Sequence, residues 1–378
     1  MQKKKLKGIH VDKALVYYQV WWCVAMKVIS DKAVTQFLNK SLTKSTLLNE
    51  FVPTLFNGLK TYSQDPDHIV PPRIAQQSNN TESDTTHVYM PCISPEEVGI
   101  KVISGGQGNN SKGLGFVGCV LVMDEVTGEL RAVLNANTLT AFRTALASIL
   151  GLVKIISVDE QSEKLPELTV FGVGLQAYWH VKLALLLYGD KIKVVNILNR
   201  SLENAVKLKE KFEKEFDNVV FNAFLYQSSK HNDFVNHIRN SSIIFGCMPA
   251  TSPIIKTSYI NQDPQWPVFI SLIGSYKPHM IELDLGLVKL FKDKGVKIIV
   301  DSKEHTLHEA GELIQANYVP DDLVEIHELY NEHIPKVTET TSNITVQKIV
   351  GLSIMDLAMA KLVCNKISDE NVVVVQDF

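Results

Sequence analysis

The amino-acid sequence predicts an α/β protein of two units, the second of them a parallel sheet with helices on both faces. Three observations predict it. The chain has 378 residues, more than one hydrophobic core usually serves. From Leu168 onward, short apolar runs alternate with helical patterns, the signature of parallel strands joined by crossover helices. The first of these runs leads through Gly172-Val-Gly174-Leu-Gln-Ala177 straight into a helix, the arrangement of a phosphate-binding turn.

Taken in order, the chain opens with a basic stretch, MQKKKLKGIH, followed by the apolar run ALVYYQVWWCVAM. That run is short for a bilayer span. Residues 1–25 therefore read as an N-terminal extension or as a targeting or anchor segment. Met26 begins a domain-like pattern, with Ser30 placed to cap the helix that follows. The polar stretch from Arg73 to Val88 lacks any period and reads as a surface loop. GFVGCVLVMDEVTGELRAVLN reads as two strands around the turn at Val126-Thr-Gly128, a hairpin. LTAFRTALASILGLVKII carries apolar residues at helical spacing; Arg143 is expected near the start of that helix, with Thr138 or Thr140 as its cap. The charged segment 159–167, containing a proline, reads as a linker. Beyond about Gly311 the alternation stops, and GLSIMDLAMAKLVCNKI reads as an amphipathic helix that packs back on the first unit and leaves an apolar face (Leu352, Ile354, Leu357, Ala358 and Leu362, flanked by Lys361) for a second copy of the chain.

Composition excludes several classes. Apolar residues make up 45 % and charged residues 21 %, with a net charge of −3, so the balance points to neither nucleic acid nor an anionic membrane. The five cysteines lie apart, with no C-x-x-C pair; this fits free thiols in a reducing compartment, and a cytoplasmic location is expected unless the first 25 residues direct the chain elsewhere. No metal site is expected: His305 and His308, flanked by Glu304 and Glu309, lack a ligand pattern. His180 reads as a packed residue. SGGQGNNSKG (104–113) lacks the Gly-Lys-Ser/Thr ending of a P-loop and reads as a hairpin loop.

In the glycine turn, Gly172 makes the tight bend, Gly174 lets the backbone approach a pyrophosphate, and Ala177 permits close packing of helix on strand. Gln176 lies in the same turn and is grouped with it. The helix then offers its N-terminal amides to the phosphates. The next strand ends at Asn199-Arg200-Ser201, where a ribose reader is expected. Arg200 can pair with a 2′-phosphate, and Asn199 and Ser201 add neutral hydrogen bonds. No carboxylate stands at the position that usually binds a free 2′-hydroxyl, so NADPH is expected over NADH.

Several segments together resemble the ornithine cyclodeaminase/mu-crystallin family, in pattern closer to the ketimine-reducing mu-crystallin than to the cyclodeaminases. They are VPPR (70–73), MP (90–91), GIKV (99–102), TAFRTALAS (140–148), FGVGLQAYWH (171–180), NRSLENA (199–205), IGSYKPHMIELD (273–284), VDSKEHTLHEAGEL (300–313) and ITVQKIVGLSIMDLAMAKLV (344–363). The resemblance implies a Rossmann-type NAD(P)-binding domain, placed at 161–317, inserted in a discontinuous α+β substrate-binding and dimerisation domain, 26–160 plus 318–378. It implies a homodimer acting on a small 2-imino or 2-amino acid. By matching motif, Arg73, Arg143 and Thr144 are expected to bind substrate, and Lys101 to bind it or donate a proton. That is sound chemistry, since guanidinium groups grip carboxylates in a planar fork and a buried lysine becomes a better acid.

Two departures select among activities. The resemblance places a catalytic aspartate of cyclodeaminases where this chain has Tyr276, and a glutamate where it has Val88. Without them no evident base drives ammonia loss. Reduction of C=N needs only a bound hydride donor, a carboxylate anchor and one proton source, which Tyr276 or Lys101 can supply. The expected activity is NADPH-dependent reduction of 2-imino acids such as cyclic ketimine carboxylates. The alternatives are a non-catalytic NADPH-binding protein holding a small carboxylate ligand and, behind it, a cyclodeaminase or amino acid dehydrogenase. The family's Asp-Gly before the Arg-Thr helix is Asn135-Ala136 here.

Overall fold

A computed structural model describes residues 25–158, 167–226, 232–275, 277–331 and 342–378. The N-terminal basic and apolar segment, nearly all of the linker and Tyr276 therefore lie outside the described residues. The first sheet contains β1 (Met26–Ile29), β2 (Ile74–Gln77), β3 (Thr86–Ile93), β4 (Val98–Gly105), β5 (Val117–Met123) and β6 (Leu130–Asn135). The second contains β7 (Glu167–Phe171), β8 (Val194–Asn199), β9 (Val220–Leu225), β10 (Ser241–Gly246), β11 (Val268–Leu272), β12 (Ile298–Val300), β13 (Leu323–Glu325) and β14 (Ile344–Lys348). The chain then returns to the first sheet as β15 (Val373–Val375).

The second sheet runs β13-β12-β14-β11-β10-β7-β8-β9, every pair parallel. Strand order reverses between β7 and β10, so a crevice opens at their carboxyl ends, where such folds bind ligands. The first sheet runs β15-β1-β6-β5-β4-β3-β2, mostly antiparallel. The predicted hairpin is present as β5 and β6, and Ser30 accepts from the Ala33 amide as the predicted cap. The loop 104–113 joins β4 to β5 and contains one short helix, Gln107–Ser111.

Four details differ from the sequence reading. The stretch 73–88 contains β2 and the start of β3, paired antiparallel. β2 is an edge strand with every residue exposed, so burial imposes no alternation on it. β13 and β14 fall in the segment assigned to the first unit, yet complete the parallel sheet; β14 ends in buried Gln347 and Lys348, polar residues that disguise a central strand. The long helix spans Ala136–Ile155 and is capped by Asn135, which accepts from the Asn137 amide. Arg143 therefore sits two turns inside it. Thr138 is no cap, because its amide donates to Asp31 and its hydroxyl meets Thr35. Finally, the C-terminal helix Ser353–Lys366 packs back on the first unit as expected, but its apolar face is consumed there. Ile354, Leu357 and Ala358 are buried within the chain, as is Leu352 just before the helix.

Candidate active site

The glycine turn stands at the sheet's crevice. Gly172 donates to the Leu198 carbonyl at 2.8 Å and has φ +115°. A Cβ there would lie 2.8 Å from the Cys247 carbonyl oxygen, so only glycine fits without strain. Gly174 precedes the helix Leu175–Tyr188, which has no side-chain cap. A Cβ on Gly174 would meet nothing within 4 Å, leaving the helix start open to an anion. Ala177 is fully buried, as close packing requires. Gln176 carries a buried Oε1 without a hydrogen-bond partner and borders the main cavity. An open amide cradle beside an orphaned acceptor fits the pyrophosphate and nicotinamide ends of a dinucleotide.

At the end of β8, Asn199 is buried and donates through Nδ2 to the Ser201 carbonyl, while Ser201 accepts from the Asn204 amide to cap the helix Leu202–Glu213. These groups hold the turn as well as bordering it. Arg200 is exposed, and Glu203 is engaged by Lys207.

A cavity of about 740 Å³ lies between the β-wall of the first unit and the crevice. It gathers Arg73, Lys101, Arg143, Thr144 and Gln176. Lys101 projects from the middle of β4 and is 1 % exposed; its Nζ donates to Asp356 Oδ1 at 2.8 Å. Arg143 Nε donates to the same oxygen at 3.1 Å. Burial pushes the Lys101 ammonium down to about 8, helped by Arg143 and resisted by Asp356. Burial alone would raise the Asp356 carboxyl, but Arg143 and Lys101 together hold it below the usual carboxylate range. Gly351, at φ +92°, lets the Arg143 guanidinium lie against the backbone, since a Cβ there would sit 3.1 Å from both terminal nitrogens. The Val350 and Gly351 amides donate to Asp301, whose carboxyl burial raises.

Arg73 pairs with Glu309 at 2.6 Å. Burial lifts the Glu309 carboxyl to about 7 despite Arg73, and its Oε2 has no hydrogen-bond partner. Behind the cavity, Lys348 is held between Glu282 and Glu312 and donates to Ser275. Tyr276, the residue after Ser275, lies outside the described residues.

His180 and His305 are held by hydrogen bonds within the fold. His180 bonds Ser148 at 2.8 Å and the Gln176 carbonyl at 2.7 Å, and burial lowers it to about 4. His305 meets Ser302 and Tyr62. Among the described residues no cluster of metal ligands forms. Sequence reasoning missed Asp356 and Glu309. Asp356 left a signal: it is the lone carboxylate in an apolar helical run, and a buried charge must find partners.

The sequence model of the ornithine cyclodeaminase/mu-crystallin family matches residues 33–371. An uncharacterized protein of Saccharomyces cerevisiae is 37 % identical over 366 residues, covering 88 % of this chain and 95 % of that protein. The ketimine reductase mu-crystallin of Rattus norvegicus is 27 % identical over 325 residues, covering 85 % and 92 %. Among solved structures, the Thermococcus litoralis Δ1-pyrroline-2-carboxylate reductase in complex with NADH and L-proline superimposes with a TM-score of 0.73. It is 22 % identical, over 92 % of this chain and 99 % of that one.

Proposed function

The chain belongs to the ornithine cyclodeaminase/mu-crystallin family, and from that premise we propose that it reduces the C=N bond of a 2-imino acid with a reduced nicotinamide dinucleotide, NADPH over NADH. The observation that carries this reading is the meeting, in one cavity, of Arg143, Lys101 and Arg73 with the mouth of the glycine turn. Relatives in the family include a protein named for ketimine reduction, which supports the same class of reaction.

In this reading a bound reduced nicotinamide supplies hydride to C2 of the imino acid. The protein does the rest. Arg143, anchored through Nε to Asp356, presents its terminal nitrogens to the substrate carboxylate, a fork that sets the plane of C2. Arg73, steered by Glu309, closes on the same group. As the C=N electron pair moves to nitrogen, that nitrogen takes a proton from Lys101, whose lowered pKa makes it a competent donor near neutral pH. Tyr276 remains a second donor in the proposal. Gln176, Ile273 and Ser275 line the cavity on the side of the glycine turn and would border a bound nicotinamide. The preference for NADPH rests on exposed Arg200 at the end of β8, with Glu203 neutralised by Lys207.

We also propose a homodimer. The support is the exposed apolar set Ile74, Tyr89 and Ile93 on the β2–β3 side of the first sheet, rather than the C-terminal helix, whose apolar face is already covered.

The test is consumption of NADPH and of NADH with cyclic ketimine carboxylates, beside 2-oxo acids plus amine. Reduction of the ketimines is expected, with at least about tenfold preference for NADPH that Arg200→Ala removes. Binding of dinucleotide without turnover on any imine would favour the carrier reading. Equal use of both dinucleotides would remove Arg200 from the account.

A further inference from the structure

The wall opposite the glycine turn has a graded chemistry that the reductase reading leaves unused. β2, β3 and β4 pair in register: Met90 faces Lys101, Val88 faces Ile103 and Ala75, and Thr86 faces Gly105 and Gln77. Cross-strand partners and residues two apart share one face of a sheet, and all eight of these residues line the cavity. Three bands result. The band at Lys101 and Met90 is charged, and there Lys101 meets Arg143 and Asp356, with Arg73 and Glu309 in the same cavity. The band at Ala75, Val88 and Ile103 is wholly apolar. The third, at Gln77 and Thr86, is neutral and polar, and Phe116 covers it.

Phe116 approaches the backbone closely at Gly105: a Cβ there would lie 2.7–2.9 Å from three atoms of the Phe116 ring. From Lys101 to Gly105 is four residues along β4, about 14 Å at a rise of about 3.4 Å per residue. At the far end Asp84, an exposed carboxylate, accepts from the Gln107 and Gly108 amides.

We infer that this ladder, Ala75–Val88–Ile103 closed by Phe116, is the side-chain subsite, and that the substrates are 2-imino acids with an uncharged apolar side chain, branched aliphatic or aromatic, rather than those bearing a terminal amine. The inference rests on the proposed placement of the substrate carboxylate at Arg143 and Lys101. A carboxylate held there directs the C2 substituent along β4. A terminal ammonium stopping in the apolar band, short of Asp84, would meet no counter-charge, whereas each methylene seated there is favoured about fourfold.

The test separates this inference from the reductase reading by measuring binding apart from turnover. Full-length protein, with and without NADP⁺, is titrated calorimetrically with butanoate, hexanoate, octanoate and 6-aminohexanoate. Affinity is expected to rise about fourfold per methylene from butanoate to hexanoate and to fall tenfold or more on adding the terminal amine. Phe116→Ala should weaken octanoate, whose chain is long enough to approach the ring, and spare butanoate. Val88→Glu should abolish the gain with chain length and raise affinity for 6-aminohexanoate, while NADP⁺ affinity, unchanged, reports that the variant is folded. Equal affinity for butanoate and hexanoate would overturn the inference. So would equal or tighter binding of 6-aminohexanoate, which would assign amine recognition to Glu309. Graded binding without NADPH consumption on any imine would retain the subsite and refute the reductase.

Discussion

Lys101 and Arg143 share a single oxygen of Asp356, and this small triangle sets the chemistry of the cavity. The carboxylate holds two cations in place without cancelling both. Lys101 is active in its protonated form, so kcat/KM should be level at neutral pH and fall as pH rises through about 8. Asp356→Asn removes the group that raises Lys101, so the decline should move to lower pH. Stripping one member from a buried charge cluster should also cost about 3–5 kcal/mol in urea unfolding. A pH profile unmoved by Asp356→Asn would make Asp356 a packing residue only. The same Lys101 shift has a stability signature. Its folded value lies below 10.5, so the unfolded chain binds the extra proton between about 8 and 10.5, and this group's contribution to stability rises with pH across that window. Arg143→Lys keeps charge but loses the fork. It should lower kcat/KM by roughly tenfold to a thousandfold with dinucleotide affinity nearly unchanged. A parallel loss of dinucleotide binding would instead mark Arg143 as structural.

At the scale of elements, the glycine turn offers the sharpest experiment. Gly174 has φ −77°, and a Cβ on it would touch no protein atom. Gly174→Ala should therefore leave the melting temperature unchanged while a methyl stands over the amide cradle. The dinucleotide Kd is then expected to rise about tenfold or more; unchanged affinity would place the phosphates elsewhere. This turn was legible in the sequence because everything that makes it is local: a strand, two glycines, a small residue and a helix within a dozen positions. The Ser30 cap and the β5–β6 hairpin were legible for the same reason. What escaped depends on distant partners. β14 hides behind Gln347 and Lys348, whose burial is compensated by the Ala147 carbonyl and by Glu282, Glu312 and Ser275. Thr138 resembles a helix cap until Asp31 and Thr35, about a hundred residues away, claim it. Lys101, Arg73 and Arg143 came from resemblance, and their convergence on one cavity is a tertiary fact that no local pattern encodes. Asp356 and Glu309 joined them only through that convergence.

At the scale of the whole molecule, the two sheets meet across the cavity, and the helix Ala136–Ile155 carries Arg143 into it while packing against both units. An exposed apolar set lies on the β2–β3 side of the first sheet, with Ile74 and Ile93 about 60 % exposed. Sedimentation at micromolar concentration should show a dimer, and Ile74→Lys with Ile93→Lys should convert it to a monomer that still binds dinucleotide. A wild-type monomer at that concentration would end the dimer proposal. The central claim, hydride delivery to C2 of an imino acid anchored by Arg143 and Lys101, is tested most directly by isotope transfer. NADPH deuterated at C4 of the nicotinamide ring, on each face in turn, is incubated with the protein and a cyclic ketimine carboxylate, and the amino acid product is analysed by mass spectrometry and NMR. One face should place a single deuterium on C2 of one enantiomer, and the other face none. A saturably bound ketimine that acquires no deuterium from either face would contradict the account.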